Sequence, residues 1–176
     1  PRACYDESKR YGETLAVNFF KQFNFPVKIA RPFNNYGPGL KITDKRVIPD
    51  FFKNILDGND IEILSDGKAT RTFCYISDAV TGYLKILLSK YNGESFNIGS
   101  DKPEISMYDL AKKIIKLLNL SNDVVFGSSS DSEYLTDNPK RRCPDLTKSR
   151  QLLNYEPKIN LDQGLLRVYE YYKSEY

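Results

Sequence analysis

The sequence predicts an α/β protein, and two observations carry that expectation. Apolar residues at helical spacing alternate along the chain with short runs of β-branched and aromatic residues. Gly and Pro punctuate the joins between these segments, as at Pro26, Pro32, Gly37-Pro38-Gly39 and Gly58. Only two or three of the strands have parallel character, too few for a complete sheet covered on both faces. The fold is therefore expected to be incomplete on its N-terminal side.

The first segment, residues 6–23, reads as a helix because Tyr11, Leu15, Phe19 and Phe23 recur every four positions. Pro26 ends it, residues 27–30 read as a short strand, and residues 31–39 as a loop. A second helix is expected over 47–56, with Ile48, Phe51, Phe52, Ile55 and Leu56 on one side and Gly58 as its stop. Residues 61–64 alternate as a strand, Asp66-Gly67 forms a turn, and residues 70–76 are the expected hairpin partner. Ser77 offers an N-cap for a helix through Leu88, and residues 96–99 form another strand. Ser106 and Asp109 have capping-box spacing ahead of Leu110, Ile114, Leu117 and Leu118. Residues 124–126 are strand-like and residues 127–145 read as a polar loop. Helices over about 146–153 and 161–172 close the chain.

Composition bounds the function. The 176 residues are ample for a real core, and 40% hydrophobic with 28% charged residues is ordinary for a globular protein. A net charge of +3, with Lys and Arg spread along the chain, argues against a nucleic-acid partner. Two or three placed cations would still suffice to hold a small polyanion. The absence of His excludes Ser-His-Asp and Cys-His chemistry, and Cys4, Cys74 and Cys143 have no metal-ligand spacing, so no metal is expected. Reduced cysteines, with neither an apolar run of membrane-spanning length nor a leader-like start, point to a cytoplasmic, membrane-free protein. A start at Pro1 rather than Met reads as a piece of a longer chain.

Tyr5 and Lys9 stand four apart, on one face of the first helix if it includes both. A phenol titrates near ~10, too high for a base at neutral pH, and a neighbouring ammonium favours the phenolate. Such a pair can accept the proton of a sugar alcohol during its oxidation. The spacing alone also fits an ordinary helix surface.

The surrounding runs narrow this. Tyr5-Asp6-Glu7-Ser8-Lys9-Arg10 is followed by Arg31-Pro32-Phe33-Asn34-Asn35-Tyr36-Gly37-Pro38-Gly39 and by Arg71-Thr72-Phe73-Cys74-Tyr75-Ile76-Ser77-Asp78. Phe96-Asn97-Ile98-Gly99-Ser100, Arg142-Cys143-Pro144-Asp145, Leu153-Asn154-Tyr155-Glu156-Pro157 and Gly164-Leu165 come after, in order. Together they resemble the C-terminal half of the extended short-chain dehydrogenase/reductase (NAD-dependent epimerase/dehydratase) family. The likeness covers essentially the whole chain, with Tyr155 where that family carries Trp.

The resemblance implies the last part of a Rossmann-type parallel sheet domain, residues 1–35. A smaller mixed α/β nucleotide-sugar-binding domain would follow over 36–176, with 70–100 returning to the Rossmann sheet. It implies NAD as cofactor, Tyr5 as catalytic base, and Lys9 as the ligand of the nicotinamide ribose. Asn35 would bind cofactor and Asn34 substrate, where nicotinamide and nucleotide-sugar meet. Arg46, Val47, Arg71, Asn97 and Arg142 would complete the substrate site, Arg suiting phosphate or carboxylate through its fork. Plainer roles stay open: a solvated helix start for Arg46, a basic loop for Arg142 beside Lys140 and Arg141, a turn former at Asn97. Asp78 reads first as a helix-start charge.

Within the family the Tyr5–Arg10 and Asp44–Val47 runs most resemble UDP-glucuronate decarboxylases. Val47-Ile48-Pro49 and Asn34–Gly37 also resemble dTDP-glucose 4,6-dehydratases, and a UDP-sugar 4-epimerase stays open. The resemblance further implies a UDP-sugar ligand, an upstream Rossmann segment as partner, and a homodimer whose interface includes the first helix, where Phe19, Phe20 and Phe23 add apolar surface. No Gly-rich dinucleotide fingerprint occurs in these 176 residues. Three readings follow: part of an active enzyme, a nucleotide-sugar binder without catalysis, or a structural domain reusing the scaffold.

Overall fold

A computed structural model of the protein describes residues 3–128 and 138–175. Its helices are α1 (Ala3–Phe23), α2 (Val47–Leu56), α3 (Ile76–Leu88), α4 (Met107–Leu118), α5 (Thr147–Leu153) and α6 (Leu161–Glu175). Its strands are β1 (Ile29–Pro32), β2 (Asn35–Tyr36), β3 (Ile61–Ile63), β4 (Thr70–Arg71), β5 (Cys74–Tyr75), β6 (Ser95–Ile98), β7 (Ile105–Ser106), β8 (Val124–Phe126) and β9 (Arg141–Arg142). The α/β class is as the alternation of segments predicts.

The strands form four small sheets. Parallel pairs join β1 to β6, β2 to β5 and β3 to β8, while β4 lies between antiparallel β7 and parallel β9. This corrects the expected hairpin. Ile61 pairs with Val124 rather than with the segment after the Asp66-Gly67 turn. That segment instead splits into β4 and β5, which lie in different sheets. The extended Tyr75 runs from β5 straight into α3, so Ser77 lies inside the helix and caps nothing. The predicted loop over 127–145 contains the short strand β9, and its residues 129–137 lie outside the described residues.

Where local chemistry is strong, the elements start and stop as read. The helix α2 matches its predicted span and buries Ile48, Pro49, Phe51, Phe52 and Ile55. Ser106 caps α4, its Oγ accepting from the Asp109 N–H at 3.0 Å, and Asn119 closes the helix in the left-handed region at φ 51°.

Two cores hold the molecule. One gathers α2, β3, α4 and α6 around Phe52, Ile61, Leu110, Ile114, Leu165 and Val168. The other gathers α3, β6 and α5 around Phe96, Ile98, Leu146 and Tyr155. Gly164 lets α6 reach the first core, since a Cβ there would stand 2.0 Å from Tyr36 Oη. Tyr155 is buried and donates its hydroxyl to Gly99 O at 2.9 Å, satisfying the polar tip of an aromatic core residue. Asp78, also buried, is more than a helix-start charge. Its Oδ2 accepts from the N–H groups of Lys158 and Ile159 at 2.9 and 2.8 Å, pinning the C-terminal segment to α3.

Arg150 ties α5 to its surroundings. Its guanidinium forks onto Asp101 at 2.6 and 3.1 Å and onto Glu156 at 2.6 and 3.1 Å. The hydrogen bonds from Arg150 hold both carboxyls below their ordinary range. A depressed carboxyl contributes stability above its unfolded pKa, near ~4, and loses it as pH falls through the folded value. The cluster is partly solvated, so the effect is modest. The melting temperature of Arg150→Met should lie below wild type at pH 6, and the gap should close between pH 4 and pH 2. A gap that stays constant over that range would rule the linkage out.

Candidate active site

A cavity of about 740 Å³ opens between the ends of β1 and β4 and the start of α2. Seven of the residues singled out in the sequence line it: Tyr5, Asn34, Asn35, Arg46, Val47, Arg71 and Arg142. Lys9 is not in its wall but stands behind Tyr5, its Nζ 5.3 Å from the ring centroid. Asn97 is not brought there. Its Nδ2 donates to Asp145 O at 2.9 Å and its backbone carbonyl accepts from Ser149 Oγ at 2.6 Å, so it braces β6 against the start of α5. A second cavity of about 530 Å³ lies between α3 and α5, lined by Leu84, Leu88 and Leu152, and none of these site residues lines it.

Each wall has a local cause. Helix α1 carries Tyr5 and Lys9 one turn apart, and Tyr5 is 59% exposed at the cavity mouth. Asn34 follows β1 in the left-handed region at φ 41°, a conformation Asn tolerates better than most residues. Its Nδ2 donates to Thr72 O at 2.8 Å, tying β1 to the turn between β4 and β5. Asn35, on β2, donates its Nδ2 to Tyr83 Oη of α3, while its Oδ1 is buried with no hydrogen-bond partner. Burial raises the Tyr83 phenol, partly offset by that bond.

The N-terminal turn of α2 forms the opposite wall. Arg46 occupies its N-cap without a side-chain cap bond, so the N–H groups of the first turn are left outside the helical ladder. These groups, those of Val47 and Ile48 since Pro49 has no N–H, and the helix dipole favour negative charge. Lys45 lines the cavity just before, at φ 61°, a left-handed backbone rarely held by a residue with a Cβ unless its surroundings fix it. Nothing in its local sequence marks it. Asp50, in the same wall, has its carboxyl raised by burial against the lowering pull of Lys45 and Lys53.

Arg71 and Arg142 also line the cavity. Arg71 is 9% exposed and donates to Thr70 O at 2.7 Å, Asn138 Oδ1 at 3.0 Å and Pro139 O at 2.6 Å. Register places Arg142 directly beside it across the β4–β9 pair. Among the described residues the cavity offers four cations (Lys45, Arg46, Arg71, Arg142) against two carboxylates (Asp50, Glu62), and Arg46 is itself within 3.4 Å of Asp44. One cavity thus holds a phenol together with three guanidinium groups. It suits a ligand with a reactive hydroxyl and a polyanionic part.

Residues 1–99 match the sequence pattern described as the NAD dependent epimerase/dehydratase family. The chain belongs to that family. UDP-glucuronic acid decarboxylase 5 of Arabidopsis thaliana is 38% identical over 164 residues, 93% of this chain and 46% of that protein. UDP-glucuronic acid decarboxylase 1 of Xenopus tropicalis is 35% identical over 175 residues, 99% of this chain and 40% of that protein. Among solved structures, UDP-glucuronic acid 4-epimerase of Bacillus cereus, in complex with UDP-glucuronic acid and NAD, superposes with a TM-score of 0.85 at 32% identity. That match covers 98% of this chain and 53% of the epimerase. The chain therefore spans about half the length of the relatives it matches.

The site residues fit one end of a nicotinamide dinucleotide. Tyr5 and Lys9 would offer hydroxyl and ammonium groups to a ribose, and Asn35 Oδ1, buried with no hydrogen-bond partner, would offer an acceptor beside the cavity. A dinucleotide's pyrophosphate needs a Gly-rich strand–turn–helix, and no such motif occurs among these 176 residues. Among the described residues there is no cluster of metal ligands and no helix long and apolar enough to cross a membrane.

Proposed function

We propose that this chain is the substrate-holding half of an NAD-dependent nucleotide-sugar enzyme, acting on UDP-glucuronate as a decarboxylase. The observation that carries the reading is the meeting of Tyr5 with Arg46, Arg71 and Arg142 in one cavity, although they are far apart in sequence. A domain division at about residue 35 belongs to the same reading, and the return of β6 to pair with β1 supports it. An upstream Rossmann segment would extend the β1 edge and hold the rest of the dinucleotide.

In this reading Arg71 and Arg142 bind the diphosphate, with the first-turn N–H groups of α2 and Arg46 on its other side. Tyr5 Oη takes the proton of the sugar C4 hydroxyl, with the Lys9 ammonium over its ring. Lys9 also holds the ribose of the cofactor. Bound NAD would supply the hydride acceptor and then the hydride donor at C4: oxidation there makes the sugar a β-keto acid, which loses carbon dioxide and takes a proton at C5, and return of the hydride with the proton held on Tyr5 Oη leaves UDP-xylose. A second reading, 4-epimerisation of UDP-glucuronate, draws on the likeness to the Bacillus cereus enzyme.

Helix α1 exposes Tyr11, Leu15, Phe19 and Phe23 on one stripe, with the last two rings 5.4 Å apart. That surface fits burial by the upstream segment and a second copy in a homodimer. The test is product analysis with UDP-glucuronate and NAD. The complete protein should release carbon dioxide and form UDP-xylose, whereas the 176 residues alone should release none. UDP-galacturonate as the product would select the epimerase reading, and no product from the complete protein would reject both.

A further inference from the structure

Two of the cavity's arginines, Arg71 and Arg142, stand in an arrangement that the strands alone would not favour. Arg71 and Arg142 are direct partners in a parallel pair of only two residues a side. Like charges directly opposite on one sheet face repel. Side chains alternate along a strand, so Thr70 and Arg141, also direct partners, share the other face, away from the cavity.

On that other face a brace crosses all three strands. Glu104, immediately before β7, accepts at Oε1 from Thr70 Oγ1 of β4 at 2.6 Å. It also receives the Arg141 fork from β9, Nε to Oε1 at 2.9 Å and Nη2 to Oε2 at 2.8 Å. One carboxylate on one edge strand thereby grips the central strand and the opposite edge strand. The backbone ladder adds Thr70 N–H to Lys140 O at 2.8 Å and a long Thr72 N–H to Arg142 O contact at 3.4 Å. The bidentate geometry is the kind in which an ion pair at a surface contributes measurably.

We propose that Glu104 and Arg141 are positioning residues, which hold β9 in register so that Arg142 stands beside Arg71 as a paired receptor for a doubly charged diphosphate. The inference rests on the reading of the cavity as a nucleotide-sugar site. Neither residue touches the ligand. They act through Arg142.

The experiment uses the complete protein and titrates UDP and uridine into wild type, Glu104→Gln, Arg141→Gln and the charge exchange Glu104→Arg with Arg141→Glu. Each single variant should raise the UDP Kd severalfold, because Arg142 loses its hold while Arg71 stays in place. The uridine Kd should stay within about twofold, because uridine lacks the diphosphate that the two guanidiniums hold. The charge exchange should recover most of the UDP affinity. Unchanged UDP binding in both single variants overturns the proposal, and so does equal loosening of UDP and uridine, which would mark general damage. If wild type binds no UDP at all, the reading of the cavity fails and this inference with it.

Discussion

Tyr5→Phe in the complete enzyme is expected to lower kcat on UDP-glucuronate by about 10³-fold while leaving the UDP Kd within about twofold of wild type. The size follows from the role. A positioned general base contributes on the order of 10²–10⁴ in rate, and the substitution removes only the hydroxyl that would take the proton. Tyr5 is more than half exposed at the cavity mouth, so the loss of one oxygen leaves no unpaired buried group and costs little stability. Lys9 faces the ring and not the cavity, so Lys9→Met should lower kcat and also loosen the cofactor. The measurement is single-turnover formation of product together with titration of UDP. A kcat loss below tenfold for Tyr5→Phe would remove Tyr5 from the chemistry.

Arg71→Ala is expected to weaken UDP-sugar binding about 100-fold with the NAD Kd unchanged. Arg71 is nearly buried, and three of its hydrogen bonds hold it to the backbone of Thr70 and to Asn138 and Pro139. Its fork is therefore oriented before a ligand arrives. Truncation removes a preoriented cation and leaves those acceptors without their donor, two losses of ~1–3 kcal/mol each in different terms. Arg71→Lys should recover only part of the affinity, because an ammonium cannot reproduce the planar fork. Titration of both ligands into the complete protein decides the matter. Equal weakening of NAD and UDP-sugar would count against the assignment of Arg71 to the substrate.

Residue chemistry that acts over a few positions was legible before any coordinates. The apolar period of α2, the Ser106 cap of α4 and the i, i+4 placement of Tyr5 and Lys9 all stand where the sequence puts them. The family likeness was readable because its motifs run in order along the whole chain. What failed was strand pairing. The segment 61–64 followed by Asp66-Gly67 has the look of a hairpin, yet Ile61 joins Val124. Strand β9 hid inside a polar loop, since two consecutive arginines carry no strand signal of their own.

The sequence by itself determined the α/β class, most helix bounds, the family and the chemical types able to work in the site. Tertiary structure alone decided which of those residues meet. It brought Arg142 beside Arg71, sent Asn97 to brace α5, and added Lys45 and Asp50 to the cavity wall. The physical reason is range. Periodicity and caps are settled by neighbours within a turn or two, whereas a two-residue strand has too little pairing energy to choose its own partner. Its register is set by distant contacts, such as the grip of Glu104 on Thr70 and Arg141, and these exist only once the chain has folded.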